Sequence, residues 1–417
     1  MVSRRSRPAP RRRRKRTPTK YTYYWRRALV VTILLSVILF GYYGVTFYQA
    51  INNPSYGASS MARIAEWGRN EGIGGLVTWA ENIYNRLHPA KVGGQPGKNA
   101  FGGGGGVINA TGALPVPARI TSPALHPAPG EGLWHPVGRT TVNGVPAIYE
   151  AFVRPDAVHT SYVVGVAWMD TRLLRATLYS GSQIPGPQGL PYSHTAPIAA
   201  GASQSLVAVF NAGFRLQDAQ GGYYTDGKLL HPLRVGGASV VIYKDGSVAL
   251  GQWGRDFHSL AKVASVRQNL DLIVDGGHAV PGLSQQNNAK WGKVTGNTFN
   301  VWRSGLGITS DGALVYAGGP ALSIADLANI LERAGAVRAM ELDMNTDWVV
   351  YSAFSGPAGR AINASSGTNM LNSVNAGANA MLERPSVFFA TWWTRDFFTM
   401  NLRPKELRKA TAAKPRS

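Results

Sequence analysis

The 417-residue chain contains no cysteine, which excludes disulfide bonds, thiol catalysis and cysteine-ligated zinc. It also lacks the HExxH and GxSxG motifs of zinc peptidases and serine hydrolases. The nearest approach to a nucleotide-binding P-loop, residues 222–228, is followed by Leu229 where a Ser or Thr must reach magnesium. A chain without cysteine is consistent with a bacterial envelope protein that folds without disulfides.

Acidic residues are scarce, and the resulting positive charge lies at the two ends of the chain. The formal net charge is +21, with twelve Lys or Arg and no acid in residues 1–27. Residues 401–417 add six basic residues against one acid, which leaves only +4 for everything between. A nucleic-acid-binding domain is basic on its folded surface, so we expect no nucleic-acid partner. We predict a basic cytoplasmic tail over residues 1–27, attracted to anionic lipid, and a basic C-terminal tail over residues 396–417.

One long apolar run, residues 28–48, contains no charge and would measure about 31 Å as a helix, close to the hydrocarbon thickness of a bilayer. Arg26 and Arg27 precede it, and the first acid in the chain is Glu66. The positive-inside rule therefore predicts a single-pass protein of the cell membrane, with a cytoplasmic N-terminus and an extracytoplasmic remainder. The alternative is a cleaved signal peptide, whose apolar region is usually about 7–15 residues long.

Residues 49–88 are predicted to be a juxtamembrane helical segment in two pieces, ended by Pro89. Its apolar face would lie on the membrane surface or pack on the main domain, and consists of Leu76, Trp79, Ala80, Ile83 and Leu87. Residues 89–130 contain seventeen Gly or Pro and no acid. That composition predicts a flexible linker with a reach of roughly 35 Å.

Residues 131–395 carry the signals of a folded domain. Strands are predicted at 147–153, 162–168, 205–210 and 337–342, with hairpins at 239–250 and 305–316 around Asp-Gly turns. A helix begins after Ser323, with Asp326 three residues on, and ends at Gly335. Strands and helices in this order predict an α+β domain with a mixed β-sheet and packed helices, preceded by one transmembrane helix.

Four polar clusters interrupt this pattern next to predicted strands, where side chains can converge on a cleft. They lie at residues 211–215, 275–278, 302–304 and 341–348.

The order of these features resembles the phosphodiester glycosidase family over roughly residues 200–390. That family shows Asn-Gly-Gly-Phe after a strand, Arg-Thr/Ser-Ala-Ile-Gly, an Asp-Gly turn, a Leu-Ala-x-x-Leu helix and Leu-Asp-Gly-Gly-Gly-Ser. The matching stretches are residues 211–214, 303–308, 311–312, 327–331 and 342–343. The closing Gly-Gly-Gly-Ser is replaced by Met344, Asn345, Thr346 and Asp347, side chains that should alter the pocket.

The resemblance implies cleavage between the anomeric carbon of a sugar and a phosphodiester oxygen, in a phosphate-containing envelope glycan. A carboxylate must stabilise an oxocarbenium-like centre or activate water, and we predict Asp343 with Asp347 or Glu341. We predict that Arg303 binds the phosphate, because guanidinium matches it in a bidentate way. Asn211 would orient a sugar hydroxyl or the phosphate.

The predicted substrate-binding residues are Arg215, Asp275, His278, Trp302 and Asn345. No cofactor is predicted. A divalent cation such as calcium is an alternative, because Asp343, Asn345 and Asp347 resemble the start of a calcium loop, although Trp348 stands where that loop needs Gly.

Structural roles are the alternative for the same residues. Arg303 and Asp343 would form an ion pair, Asn211 and His278 would hold turns, and Trp302 would pack in the core. For the whole protein, one alternative is a catalytically inactive domain of this fold that binds glycan or assists cell-wall assembly. Another is a structural envelope protein whose basic tail recruits a cytoplasmic partner.

Overall fold

The computed structural model describes residues 20–53, 56–57, 59–102, 106–284, 289–292, 299–373, 385–390, 392 and 395–407. The chain divides into two compact units, residues 1–52 and 53–417. Most of the predicted cytoplasmic tail, residues 1–19, lies outside the described residues.

The first unit contains helix α1, Lys20–Asn52, whose 33 residues include the predicted apolar segment 28–48. Almost all of its apolar side chains are exposed, and it is long and apolar enough to cross a membrane. A signal sequence near the N-terminus can pass the same test of length and composition.

The second unit contains helices and strands throughout. The helices are α2 Ser60–Asn70, α3 Gly74–Leu87, α4 Ala200–Ser203, α5 Leu216–Ala219, α6 Ile324–Arg333 and α7 Val387–Ala390. The strands are β1 His135–Thr140, β2 Pro146–Val153, β3 Val164–Met169, β4 Leu174–Tyr179, β5 Leu206–Asn211, β6 Tyr223–Thr225, β7 Lys228–His231, β8 Ala238–Tyr243, β9 Val248–Gln252, β10 Val263–Asn269, β11 Leu272–Asp275, β12 His278–Ala279, β13 Val301–Thr309, β14 Leu314–Leu322, β15 Ala336–Asp343, β16 Tyr351–Phe354, β17 Gly367–Asn369 and β18 Phe397–Leu402.

These strands form three sheets. The largest has eight strands in the order β1-β2-β3-β14-β13-β15-β11-β12, and the other two have five strands each, β7-β6-β10-β8-β9 and β17-β16-β5-β18-β4. Neighbouring strands run antiparallel, and parallel pairing occurs in isolated bridges such as Ser180–Thr195. Side chains from all three sheets share the main core. The α+β class, with packed helices, is confirmed.

Helix α6 covers the outer face of the eight-stranded sheet. Its apolar residues Leu327, Ala328 and Leu331 pack on side chains of β11, β14 and β15. The predicted capping box is present, because the Ser323 hydroxyl accepts the Asp326 N–H and the Asp326 carboxylate accepts the Ser323 N–H. This helix therefore covers the sheet beside β15, which pairs directly with β13.

The predicted C-terminal boundary at residue 395 is wrong. Residues Phe397–Leu402 form β18, a buried strand that pairs with β4 on one side and β5 on the other. In sequence, a strand buried on both faces is a short apolar run. Because basic residues follow this run, the sequence indicated a tail instead of a strand.

Residues 89–130 lack helices and strands in their described part, yet they are not a free coil. Ala100, Phe101, Leu114 and Ile120 are buried against the domain. The backbone N–H of Leu114 also donates to the Asp170 carboxylate at 2.7 Å. Gly and Pro prevent regular structure here, but the apolar residues between them still fill grooves beside the sheets.

Helices α2 and α3 match the two predicted pieces of the juxtamembrane segment. Helix α3, described in full, has no buried residue, and its apolar face, including Leu76, Trp79 and Leu87, is exposed. Helix α2 instead packs on the domain and buries Glu66.

Candidate functional site

The ends of β5 and β15 meet the first half of β13 in a buried chain of hydrogen bonds. Asn211, the last residue of β5, donates from Nδ2 to the Ser304 hydroxyl at 3.1 Å. That hydroxyl donates to the backbone carbonyl of Asp343, the last residue of β15, at 3.3 Å. The Asn211 amide oxygen accepts the Tyr316 hydroxyl at 3.0 Å and the Val350 N–H at 3.3 Å. Three of the four predicted clusters therefore meet, although in a buried network rather than an open cleft, and Asn211 bonds across strands rather than within a turn.

Arg303 and Glu341 form a buried ion pair between β13 and β15. Arg303 Nη1 donates to Glu341 Oε1 at 2.5 Å, its Nε donates to the Leu322 carbonyl at 2.9 Å, and its Nη2 to the Phe299 carbonyl at 3.5 Å. The alternative of a structural pair between Arg303 and Asp343 is not what the structure shows. A register shift between Ser304 and Gly305 places Glu341 opposite Gly305 and Asp343 opposite Ser304.

Asp343 pairs with an arginine from a different part of the chain. Arg395, just before β18, donates from Nη1 to Asp343 Oδ2 at 2.8 Å. Its Nη2 lies 3.6 Å from Glu66 Oε2 on α2, and its guanidinium lies 4.0 Å over the Trp348 ring. Arg215, at the start of α5, contacts the other oxygen of Glu66. We call Glu66, Arg215, Asp343 and Arg395 the charged cluster.

The carboxyl groups around Asp343 have raised pKa values. Burial raises the pKa of Glu341 to about 7 although Arg303 opposes the shift. Burial raises the pKa of Asp347 to about 6, again against the effect of Arg395. Burial also raises the pKa of Asp343, opposed by Arg395 and by the Asn345 N–H. Carboxyl groups that titrate near neutral pH suit acid–base chemistry.

Two of these groups have unused hydrogen-bonding capacity. Among the described residues, Glu341 Oε2 and Asp347 Oδ1 are buried without a hydrogen-bond partner. The Asp347 backbone N–H donates to Asn345 Oδ1 at 3.0 Å, and the Asn345 N–H donates to Asp343 Oδ1 at 2.8 Å. These turns hold the segment after β15 folded back beside Asp343.

A cavity of about 540 Å³ opens beside Arg215. Asn70 at the end of α2, His231 at the end of β7 and the loop 182–188 form its other walls. Asn211, Arg303, Glu341 and Asp343 do not line this cavity and are buried. Arg215 is thus the member of the charged cluster that connects the buried carboxylates to open space.

The backbone of the glycine-containing motif at the end of β5, residues 211–214, is closely packed. Gly213 has a φ of +150°, and a Cβ added there would collide with the Asn269 amide. That amide accepts the Phe214 N–H at 3.1 Å and donates to the Ala212 carbonyl at 3.0 Å. Met344, which replaces the first family glycine after Asp343, packs on Phe214. The departure from the family pattern therefore fills space next to the site.

Two predicted substrate-binding residues lie elsewhere. Asp275 pairs in register with Arg338 and binds the Arg255 guanidinium at 2.6 Å. Arg338 is five residues from Asp343 along β15, or roughly 17 Å at the usual rise of a strand. His278 is 84% exposed and lies 3.4 Å from Glu332. Their roles stay predictions, and the structure does not bring them to Asp343.

Trp302 is 9% exposed and belongs to the main core, as its structural alternative predicted. Among the described residues, no group of three His, Asp or Glu side chains is placed to hold a metal ion, and the calcium alternative stays a prediction. One Asp343 oxygen already accepts the Asn345 N–H and the other accepts Arg395.

Sequence reasoning missed Glu66 and Arg395. Arg395 and Asp396 stand directly before the apolar run of β18, the arrangement that identified the other clusters, so that signal was present. Glu66 lies four residues after Ala62, and α2 buries both of them. Nothing in that spacing indicates which surface the helix covers.

Comparison with known proteins identifies one family. Residues 204–373 match the family model described as phosphodiester glycosidase, which confirms the resemblance seen in the sequence. No curated protein matches the chain.

Three solved structures are similar at low identity. The zebrafish N-acetylglucosamine-1-phosphodiester alpha-N-acetylglucosaminidase catalytic domain, auto-inhibited by its pro-peptide, is 14% identical with a TM-score of 0.39, covering 64% of this chain and 87% of that one. A hypothetical protein from Synechocystis is 12% identical with a TM-score of 0.32, covering 63% of each chain. A putative exported protein from Burkholderia pseudomallei K96243 is 12% identical with a TM-score of 0.25, covering 57% of this chain and 74% of that one.

Proposed function

Because residues 204–373 carry a phosphodiester glycosidase domain, we propose that this protein is a hydrolase of sugar phosphodiesters. It cuts the bond between the anomeric carbon of the sugar and the phosphodiester oxygen, in a phosphate-containing glycan of the cell envelope. The observation that supports this most directly is the hydrogen-bonded chain of Asn211, Ser304 and Asp343, with Arg395 on the Asp343 carboxylate.

Asp343 is the carboxylate that faces the developing positive charge of the sugar. As the phosphate oxygen leaves, the anomeric carbon becomes oxocarbenium-like and needs a nearby negative charge. Arg395 donates to Asp343 at 2.8 Å, and the Asn345 N–H donates at 2.8 Å to the other oxygen. These bonds fix the orientation of the carboxylate and favour its ionised form against the effect of burial.

Asp347 is the base that activates water. Its pKa of about 6 leaves it mostly ionised at neutral pH, and among the described residues its Oδ1 has no hydrogen-bond partner. The water oxygen bonds to the anomeric carbon, its proton passes to Asp347, and the phosphate monoester leaves with the electron pair of the broken bond. A phosphate monoester is a good leaving group, so the reaction needs no strong general acid.

Arg303, Glu341 and Asn211 help to position Asp343 and do not contact its carboxylate. The Arg303 nitrogens contact Glu341 and two backbone carbonyls, so the phosphate-binding role predicted for Arg303 would require these contacts to break. In this proposal the pair holds β13 against β15, and Asn211 acts on the Asp343 backbone through Ser304.

The location of the domain follows from α1. We propose that α1 anchors the protein in the cell membrane and that residues 53–417 lie outside the cytoplasm. The length and apolar composition of α1 support an anchor, and Arg26 and Arg27 at its N-terminal end support a cytoplasmic N-terminus.

A catalytically inactive, glycan-binding domain of the same fold is the second candidate. The burial of Asn211, Glu341 and Asp343 favours it, because a substrate cannot reach these groups in the observed conformation. Measuring hydrolysis of a sugar phosphodiester distinguishes the hydrolase from the inactive domain.

The test uses the full chain in detergent with a synthetic methyl diester of a sugar 1-phosphate, in water enriched in oxygen-18. We expect free sugar and methyl phosphate without label, because cleavage at the anomeric carbon leaves every phosphate oxygen in place. Phosphorus NMR reads the label through its isotope shift. Asp343→Asn should lower kcat at least about 100-fold.

Asp311→Asn is the matched control, because this aspartate lies in the exposed turn between β13 and β14 and should leave kcat unchanged. Label in the phosphate would show that a phosphorus–oxygen bond is cut instead. Absence of free sugar, with glycan binding that survives Asp343→Asn, would establish the inactive domain.

A further inference from the structure

Glu66 on α2 is a carboxylate held among arginines of the domain. It is 1% exposed, its Oε1 contacts Arg215, and its Oε2 lies 3.6 Å from Arg395 and 3.8 Å from Arg69. A buried charge is tolerated only when it is paired. Burial raises the pKa of Glu66, but the guanidinium groups of Arg395 and Arg215 bring that pKa below its ordinary value, so Glu66 is ionised at neutral pH.

Of the two arginines that hold Glu66, one contacts Asp343 and the other lines the cavity. Arg395 donates to Asp343 itself, and Arg215 lines the cavity of about 540 Å³. An anionic group between them would therefore lie next to Asp343 and within reach of open space. This is where the phosphate of a bound sugar phosphodiester belongs when its anomeric carbon faces Asp343.

Glu66 fits this position imperfectly. Arg215 Nη2 contacts Glu66 Oε1, but within the described part of the chain Arg215 Nε and Arg395 Nε are buried without a hydrogen-bond partner. Guanidinium groups bind phosphate oxygens through paired, directional hydrogen bonds. A phosphate offers more acceptor oxygens than a carboxylate and can satisfy nitrogens that Glu66 leaves unused.

Resting on the proposed function, we infer that Arg215 and Arg395 form the phosphate subsite of this hydrolase and that the Glu66 carboxylate occupies it in this structure. A substrate phosphate must displace Glu66, and with it the adjoining part of α2. Asn70, at the end of the same helix, forms a wall of the cavity, so movement of α2 also widens the entrance.

Glu66→Gln in the full chain removes the competing charge while keeping the side-chain shape. Since displacement of an internal occupant reduces apparent affinity, we expect at least about tenfold tighter binding of inorganic phosphate by calorimetry. The KM for the methyl sugar phosphodiester should fall by a similar factor. Arg215→Ala added to Glu66→Gln should abolish the gain, which excludes phosphate bound to the basic tails.

Glu81→Gln is the matched control. Glu81 lies on α3 and pairs with Arg69 at 2.5 Å, outside the charged cluster. Like Glu66→Gln, its substitution removes one negative charge from the pair of helices α2 and α3. It should change neither phosphate affinity nor KM.

The outcomes separate this inference from the proposed function. If folded Glu66→Gln binds phosphate no more tightly than the unsubstituted chain, the inference is wrong, whether or not the protein hydrolyses the diester. If Glu66→Gln loses turnover that the unsubstituted chain has, Glu66 is a catalytic group rather than an occupant. Tight phosphate binding by Glu66→Gln without turnover in any variant supports the subsite and contradicts the hydrolase.

Discussion

Two buried glutamates show how local partners decide the sign of a pH effect. Glu131 accepts hydrogen bonds from Arg154 at 2.8 Å and from Ser122 at 2.6 Å, and these partners lower its pKa despite burial. Glu150 lies in β2, its Oε1 has no hydrogen-bond partner among the described residues, and burial raises its pKa to about 8. Folding therefore stabilises the ionised form of Glu131 and the protonated form of Glu150.

These shifts predict opposite effects of Glu→Gln substitution on thermal stability. A carboxyl group with a raised folded-state pKa loses stability as pH rises from its unfolded value toward the folded one. Glu150→Gln removes that loss, and should gain roughly 3 kcal/mol over the unsubstituted chain at neutral pH, at about 1.4 kcal/mol per pKa unit. The gain should shrink toward zero near pH 4.5.

Glu131→Gln is the contrast, because it breaks a buried pair and should cost about 3–5 kcal/mol at neutral pH. The stability from Glu131 is present above the unfolded pKa and is lost as pH falls through the lowered folded pKa. Melting curves of the full chain in detergent, at pH 5, 6.5 and 8, measure both. Equal pH slopes for Glu150→Gln and the unsubstituted chain would contradict the raised pKa.

At the same scale, sequence reasoning found the residues whose neighbours along the chain mark them. Asn211 and Asp343 each end an apolar run that forms a strand, and both lie in the site. Asp275 and His278 follow the same kind of run but lie at the other end of β15 from Asp343. The pattern indicates the end of a strand, and only the strand order and register decide which ends meet.

At the scale of elements, the sequence predicts local structures well and long-range strand pairing poorly. Both Asp-Gly hairpins and the capped helix α6 were predicted, because their turn and cap residues are adjacent in sequence. Strand β18 was missed, although it is central in its sheet, because its partners β4 and β5 lie about 190 or more residues earlier. The three-residue β6 is too short to show a periodic pattern.

The central position of β18 makes a prediction. Thr399 lies opposite Thr177 on one side and Val209 on the other and is buried. Thr399→Pro removes a backbone N–H and imposes a fixed φ in the middle of the sheet, which should cost about 3 kcal/mol or more. We expect loss of the cooperative melting transition of the domain.

Thr399→Val is the control, since it keeps the backbone N–H and the branched shape and loses only the side-chain hydrogen bond from Asn401. Its melting temperature should stay near that of the unsubstituted chain. A normal melting transition in Thr399→Pro would place β18 outside the folded domain, in agreement with a domain boundary at residue 395.

At the scale of the whole molecule, composition predicted the order of segments better than their packing. The juxtamembrane helices and the domain appear in the predicted order. Glycine and proline content predicted a flexible linker over 89–130, whereas Phe101, Leu114 and Ile120 are buried on the domain. Burial depends on the surface the chain meets, which composition does not contain.

The absence of cysteine allows the topology to be tested with single introduced thiols. Leu125 is 82% exposed in the second unit, so Leu125→Cys disturbs no packed side chain, and Thr17 precedes α1 in the sequence. If α1 spans the membrane with its basic end inside, a membrane-impermeant maleimide labels Leu125→Cys in intact cells and labels Thr17→Cys only after permeabilisation. The opposite pattern would reverse the orientation. A mature protein in which Thr17→Cys is never labelled, and whose mass lacks the N-terminal residues, would identify α1 as a cleaved signal sequence rather than an anchor.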